Sequence, residues 1–243
     1  MTYCVGLYLK DGLVMLSDTR TNAGVDHIST FSKMHVFEVP GERMVTLMTA
    51  GNLAISQSVI TLLQQGVELD GEHHTILTVP SLFQAAQLVG VAIRHVWKRD
   101  GGPLREQRVD FDVSILVGGQ IRERQMRLFQ VYSAGNFIEA TPDTAFFQIG
   151  DHKYGKPILD RALTYETSIE DGVKLVLISM DSTVRSNLSV GLPLDLLVYR
   201  RDALRTEQRR RIGEDDACFK QISEGWSTAL REAFRALPHP QWP

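Results

Sequence analysis

Residues 2–20 of the 243-residue chain read TYCVGLYLKDGLVMLSDTR, two apolar stretches separated by Asp11-Gly12. The stretches Tyr3 to Leu9 and Leu13 to Thr19 have the length and composition of strands, and Asp-Gly is a strong signal for a two-residue hairpin turn. The chain therefore begins with a predicted β-hairpin.

The pattern continues as strands, two helices, strands and two helices, and then one further strand and a last helix. Strands are predicted at 33–39, 43–49, 111–117, 126–132, 136–140, 145–149 and 194–199, and helical periodicity at 53–63, 82–96, 156–163, 169–180 and 219–234. This order predicts an α+β fold, a four-layer αββα sandwich of two antiparallel sheets with helices outside each. Because no linker or repeat interrupts the pattern, residues 1–243 are expected to form one domain.

Composition argues against several classes of partner. The chain has 26 Lys+Arg and 29 Asp+Glu, a net charge of -3, so no global positive field favours nucleic acid or an anionic membrane. No apolar run approaches the roughly 20 residues of a membrane span, and no secretory signal opens the chain, so a cytoplasmic location is expected. The two cysteines, Cys4 and Cys218, are too few for a disulfide framework. They do not form a CxxC pair, which also argues against a structural zinc site.

Two polar segments are interpreted as solvent-exposed. His73-His74 has no third ligand at a defined spacing, which favours a solvated loop over a metal site. The arginines at 200–201 and 209–211 are interrupted and followed by acidic residues, which favours a charged solvated or intersubunit face. Motifs of P-loop, dinucleotide-binding, zinc-protease and serine-hydrolase enzymes are absent.

Thr2 is a candidate nucleophile because it follows Met1 directly. Removal of Met1 would give Thr2 a free α-amine, which titrates near neutral pH and can accept the hydroxyl proton. The developing alkoxide also needs a nearby positive charge that is held in place by an anion, and Lys33 and Asp18 are suitable types. Taken alone, a second-position threonine is more often an ordinary strand residue.

Simple strand pairing keeps Asp18 away from Thr2. If Asp11-Gly12 forms the turn, Thr2 falls opposite Thr21, and Asp18 lies about 10 Å away along the strand and on the other face. A bulge or bend after Asp18 would then be needed to bring its carboxylate to Thr2.

Three segments together resemble a known family. They are TYCVG at 2–6, LSDTR at 16–20 and MDSTVRSNLSVG at 180–191, with Ser32-Lys33 before a strand and Thr49-Ala50-Gly51 at a strand-to-helix junction. The chain resembles the amino-terminal nucleophile hydrolases of the proteasome β-subunit family, and most closely the bacterial Anbu, or ancestral β-subunit, proteins. The resemblance covers essentially the whole chain.

The resemblance implies a catalytic core of four residues. Thr2 would be the nucleophile with its own amine as base, Lys33 would stabilise the alkoxide, and Asp18 would pair with Lys33. The backbone N–H of Gly51 would donate to the oxyanion, a role suited to a glycine at the positive end of a helix.

Three further residues are implied near the terminal amine. Ser189 aligns with the serine of the family's Arg-Asp-x-x-Ser-Gly-Gly element. The chain departs from the family at two positions: Ser186 stands in place of an aspartate, and Asp151 in place of a serine. A carboxylate and a hydroxyl have exchanged places, so the proton network around the amine is expected to differ.

The function implied is that of a threonine-type peptidase or amidase in a large homo-oligomer, ring or helical, acting on peptide or protein substrates without a metal or organic cofactor. Two alternatives remain open: a silent assembly subunit whose Thr2 is blocked by Met1, and an amidase of a small peptide-like substrate. The apolar stripe of the last helix fits a subunit contact and the monomer's outer layer equally well. No sequence feature identifies an unfoldase partner.

Overall fold

The computed structural model describes residues 2–23 and 27–242. Its strands are β1 (Tyr3–Leu9), β2 (Gly12–Asp18), β3 (Arg20–Ala23), β4 (His27–Thr30), β5 (Met34–Val39), β6 (Arg43–Gly51), β7 (Val67–Leu69), β8 (Glu72–His74), β9 (Val113–Ile121), β10 (Arg127–Val131), β11 (Phe137–Glu139), β12 (Phe146–Gly150), β13 (Leu194–Arg200) and β14 (Gln208–Ile212). Its helices are α1 (Leu53–Gln65), α2 (Leu82–Glu106), α3 (Lys156–Ala162), α4 (Ile169–Ser186) and α5 (Ala217–Ala236).

Two five-stranded antiparallel sheets form the centre of the fold. One has the order β12-β1-β2-β13-β14 and the other β11-β10-β9-β6-β5. Helices α1 and α2 pack on the second sheet, and α3 and α4 cover the outer face of the first. The predicted αββα sandwich is confirmed.

Burial of both sheet faces explains why the first two strands are apolar at nearly every position. Val5 and Leu7 of β1 lie in the core beneath α3 and α4, whereas Cys4 and the β2 residues Leu13 and Met15 lie in the core between the sheets. Successive side chains of a strand point to opposite faces, so a strand covered on both faces loses the usual apolar–polar alternation.

The register of the first hairpin differs from the prediction. Leu9 pairs with Gly12, so the turn is Lys10-Asp11 rather than Asp11-Gly12. Gly12 is the first residue of β2 and pairs with Arg200 of β13. The position requires glycine because a Cβ there would lie 2.0 Å from the Tyr199 carbonyl oxygen. This two-residue shift in pairing carries Asp18 to the position opposite Tyr3, and no bulge is needed.

Three short pairings were absent from the predicted pattern. Strand β14 pairs with β13, so the 209–211 arginines lie on an exposed edge strand, and the predicted solvated charged face is part of the first sheet. Strands β3 and β4 form a hairpin directly after Asp18, and β7 pairs with β8, which contains His73 and His74 in place of the predicted loop. High charge and short length concealed these strands, since backbone pairing rather than side-chain burial defines them.

Helix α5 divides into two parts. Phe219 is buried and Ile222 packs against the core beneath the first sheet, so the first turns complete the outer layer. Farther along, Leu230 and Phe234 are 49% and 77% exposed. No helix within the described residues is both long and apolar enough to cross a bilayer.

Replacing Leu128 tests the core between the sheets. Leu128 is fully buried, and its Cδ1 atom lies 3.3 Å from the position of a Cβ on Gly6 of the facing sheet. We expect Leu128→Ala to lower the free energy of unfolding by about 2–5 kcal/mol, measured by urea denaturation, because it leaves a cavity between two sheets. Leu77→Ala, at a 39% exposed leucine, should cost less than about 1 kcal/mol. Equal losses would contradict the prediction.

Candidate active site

Thr2 lies at the buried start of β1, where the backbone of β12 approaches it closely. The Asp151 N–H donates to the Thr2 carbonyl oxygen at 2.6 Å, and Thr2 is only 7% exposed. Gly150 makes this approach possible, because it has φ +85° and a Cβ there would lie 2.0 Å from the same carbonyl oxygen. The first sheet therefore fixes the backbone of the candidate nucleophile.

Asp18 and Lys33 form a buried ion pair beside this strand end. The Lys33 Nζ atom lies 2.7 Å from Asp18 Oδ1 and also donates to the Arg20 carbonyl oxygen at 2.7 Å. Asp18 Oδ1 accepts a second hydrogen bond from the Tyr3 N–H at 3.0 Å. The structure thus links Lys33 through Asp18 to the residue after Thr2, as the resemblance implies.

Opposing influences act on the Asp18 carboxyl. Burial raises its pKa, while the Lys33 ammonium and the Tyr3 N–H favour the ionised form and oppose that rise. The Gly191 N–H also favours the ionised form and opposes the rise in the pKa. Lys33 is therefore the charge that makes a buried carboxylate tolerable here.

Gly51 ends β6 and stands directly before helix α1. Its φ is +102°, and a Cβ would lie 2.4 Å from the Asp112 carbonyl oxygen, so the position requires glycine. Asn52 caps the helix, its side chain accepting from the N–H groups of Ala54 and Ile55. Two residues before Gly51, the Thr49 N–H donates to the Lys33 carbonyl oxygen at 3.0 Å, which places Lys33, the residue before β5, beside this end of β6.

The three residues implied near the amine lie in different settings. Asp151 is buried next to Thr2, whereas Ser186 is an exposed residue at the end of α4. Ser189 is half-buried in the loop after α4, and no hydrogen bond among the described residues joins its hydroxyl to Thr2. Within this group, Asp151 alone has a hydrogen bond to Thr2 among the described residues.

Sequence reasoning missed Asn187, the residue that connects these segments. Its Nδ2 donates to Asp151 Oδ2 at 2.8 Å, and its Oδ1 accepts from the Ser189 N–H at 3.0 Å. Asparagine directly after a helix is a common loop residue, so its type and position do not predict such a role. It lies between Ser186 and Ser189, the two positions that align with the family element.

The chain is similar to known proteins along most of its length. Residues 2–192 match the family model described as proteasome subunit. Anbu (ancestral beta-subunit) from Yersinia bercovieri is 50% identical, with a TM-score of 0.91 over 99% of this chain and 100% of that one. The helical assembly of the Anbu complex from Pseudomonas aeruginosa is 52% identical, with a TM-score of 0.91 over 98% of each chain. A curated relative, proteasome subunit beta 2 of Nitrosopumilus maritimus, is 24% identical over 86% of this chain and 92% of its own.

Within the described residues, no group of three or more His, Cys, Asp and Glu side chains is placed to hold a metal ion.

The buried ion pair predicts a pH-dependent loss of stability in Lys33→Ala. At neutral pH the variant should lose roughly 3–5 kcal/mol of unfolding free energy, because the Asp18 carboxylate stays buried without its counter-charge. Loss of the ammonium also raises the Asp18 pKa further. An acid whose folded pKa lies above its unfolded value gains stability as the pH falls, so the deficit should shrink below that raised pKa.

Urea denaturation of the parent and Lys33→Ala at a series of pH values measures this deficit. The control is Lys174→Ala, which removes an exposed ion pair with Asp171 and should cost less than about 1 kcal/mol throughout. A Lys33→Ala deficit that is the same at every pH would show that Asp18 ionisation is not its source.

Proposed function

Because the chain belongs to the proteasome subunit family and, within it, to the Anbu group, we propose that it is a threonine-type peptidase or amidase whose nucleophile is Thr2 after removal of Met1. The observation that carries the proposal is the buried pairing of Lys33 with Asp18, which is bonded in turn to the Tyr3 N–H next to Thr2. An ion pair held in the interior and bonded to the residue after Thr2 suits activation of the Thr2 hydroxyl.

The proposed reaction is acyl transfer through an ester. The Thr2 hydroxyl attacks the substrate carbonyl carbon while the α-amine takes its proton, directly or through water. Lys33 offsets the negative charge that develops on the hydroxyl oxygen, and the Gly51 N–H donates to the carbonyl oxygen as it becomes an oxyanion. The leaving amine takes the proton from the ammonium, and water then hydrolyses the ester and frees the threonine.

We further propose that the protein acts as a homo-oligomer. The exposed apolar residues Leu230 and Phe234 of α5, followed by Leu237 and Trp242, form a surface on which a second copy can pack. The Pseudomonas aeruginosa relative is described as a helical assembly, which supports self-association of this chain. The same surface is what a silent assembly subunit would need, so the chemistry of Thr2 distinguishes the two functions.

Covalent labelling by an epoxyketone tests the nucleophile. A chain that begins at Thr2 should form a ring with the reagent through its hydroxyl and amine together, and each labelled chain should carry one added mass. A chain extended before Met1 should resist, because the nitrogen of residue 2 is then an amide without a basic lone pair. Intact mass spectrometry measures both outcomes.

Two substitutions at the nucleophile complete this test. Thr2→Ala should abolish labelling and peptide hydrolysis while leaving the fold intact, and Thr2→Ser should retain part of each. A folded chain beginning at Thr2 that takes up neither an epoxyketone nor a β-lactone between about pH 6 and 9, around the usual α-amine range, would overturn the enzyme in favour of the assembly subunit.

Lys33→Arg tests the electrostatic role without leaving Asp18 unpaired. The planar guanidinium cannot reproduce a compact ammonium beside the hydroxyl, so kcat for a hydrolysed peptide should fall by about 10²-fold or more with a smaller change in KM. Lys174→Arg, at an exposed lysine of α4, is the matched control and should keep the parent kcat. An unchanged kcat in Lys33→Arg would remove Lys33 from the reaction.

A further inference from the structure

Asn187 is a buried amide whose contacts reach three segments. Its backbone N–H caps α4 by donating to the Thr183 carbonyl oxygen at 2.9 Å. Its side-chain Oδ1 accepts from the Ser189 N–H, and its Nδ2 donates to the carboxylate of Asp151 on the other side of the site. With both ends of the amide engaged and only 8% of the residue exposed, its orientation is fixed.

The carboxylate that Asn187 holds belongs to the residue in contact with Thr2. Asp151 is 4% exposed, and its two oxygens are bonded separately: Oδ1 accepts from the Lys153 N–H at 3.0 Å and Oδ2 from Asn187 at 2.8 Å. Its own N–H donates to the Thr2 carbonyl oxygen. Since Tyr3 pairs with Gly150, Asp151 lies opposite Thr2, and it carries a buried anionic group on the residue that is bonded to the Thr2 backbone.

A carboxylate in this place opposes the proposed role of the α-amine as a base. An anion beside an amine favours the protonated ammonium, and an ammonium cannot accept the hydroxyl proton. A carboxylate whose oxygens already accept hydrogen bonds has less capacity to take the ammonium as a further donor. Asn187 is thus placed to limit the effect of Asp151 on the amine.

We infer that Asn187 is a positioning residue that holds the Asp151 carboxylate in hydrogen bonds to the chain and so restricts its pairing with the α-amine of a chain beginning at Thr2. The consequence for hydrolysis rests on the proposed function, whereas the effect on the amine does not. The role is specific to an amide, which both donates and accepts a hydrogen bond. A carboxylate at 187 could not donate, and an aliphatic side chain could neither donate nor accept.

Other charged groups lie on the segments that meet at the start of β1. They are Asp18 at the end of β2, which accepts from the Tyr3 N–H, Lys33 before β5, which donates to Asp18, and Arg20 at the start of β3, whose side chain donates to the Leu188 carbonyl oxygen. The Asp151 charge also acts on the Tyr3 hydroxyl of β1. Burial raises the pKa of Tyr3, and the negative charge of Asp151 adds to that rise. Substitutions at position 187 leave all of these groups in the chain, and repeating them in an Asp151→Asn background separates the Asn187–Asp151 contact from the other bonds of Asn187.

The test measures the protonation of the amine rather than catalysis. Chains that begin at Thr2 are released from a cleavable N-terminal fusion, and the rate at which a small acylating reagent modifies the α-amine is followed against pH by mass spectrometry. The midpoint of this profile should rise by about half a pH unit or more in Asn187→Leu, because the freed Asp151 oxygen takes the ammonium as its donor. Asp151→Asn should lower the midpoint.

A double variant decides whether Asn187 acts through Asp151. If it does, Asn187→Leu combined with Asp151→Asn should match Asp151→Asn alone, since no carboxylate remains to be held. Asn136→Leu, at an exposed asparagine in the turn before β11, should leave the parent midpoint unchanged. Asn187→Ala provides a smaller replacement should the leucine variant fail to fold.

Two results would overturn the inference. One is a midpoint in both 187 variants equal to that of the parent, and the other is a rise that persists in the Asp151→Asn background. Either can occur whether or not the parent chain is labelled by an epoxyketone, so the inference and the proposed function fail separately.

Discussion

The buried contact between Lys33 and Asp18 is the interaction on which the site depends. A lysine and an aspartate removed from water lose several kcal/mol of hydration each, and only close pairing with further hydrogen bonds offsets that cost. The Tyr3 N–H and the Arg20 carbonyl oxygen supply those bonds, one to each partner. Three segments of chain must therefore be in place together before either charge is stable, which couples the geometry of the site to the completed sandwich.

The sandwich supports this contact through backbone rather than side-chain chemistry. Glycines at 12, 51 and 150 each lie where a Cβ would come within 2.4 Å of a neighbouring carbonyl oxygen. They let strands or strand ends approach more closely than any other residue would allow. Gly150 allows this close approach beside Thr2, whereas Gly12 allows it at the opposite end of the first hairpin.

The layers of the fold could be predicted from sequence, because apolar periodicity reports which faces are buried. Register could not, since Asp11-Gly12 has the composition of a turn while Gly12 is required by the closeness of Tyr199 on a strand nearly 190 residues later in the chain. Of the site, Thr2, Asp18, Lys33 and Gly51 could be proposed by resemblance. Asn187 could not, because its importance comes from a contact with Asp151 that only the fold creates.

Strand β14 has a further consequence for how copies of this chain can meet. It is an outer strand of its sheet, and an exposed strand edge is a template on which an identical edge can add. Here the edge carries Arg209, Arg210 and Arg211, the last two paired with Asp216 and Asp195. An antiparallel partner strand would bring like charges together and dehydrate both pairs. Continuous sheet growth from this edge is therefore disfavoured, and the protein is protected from open-ended aggregation along it.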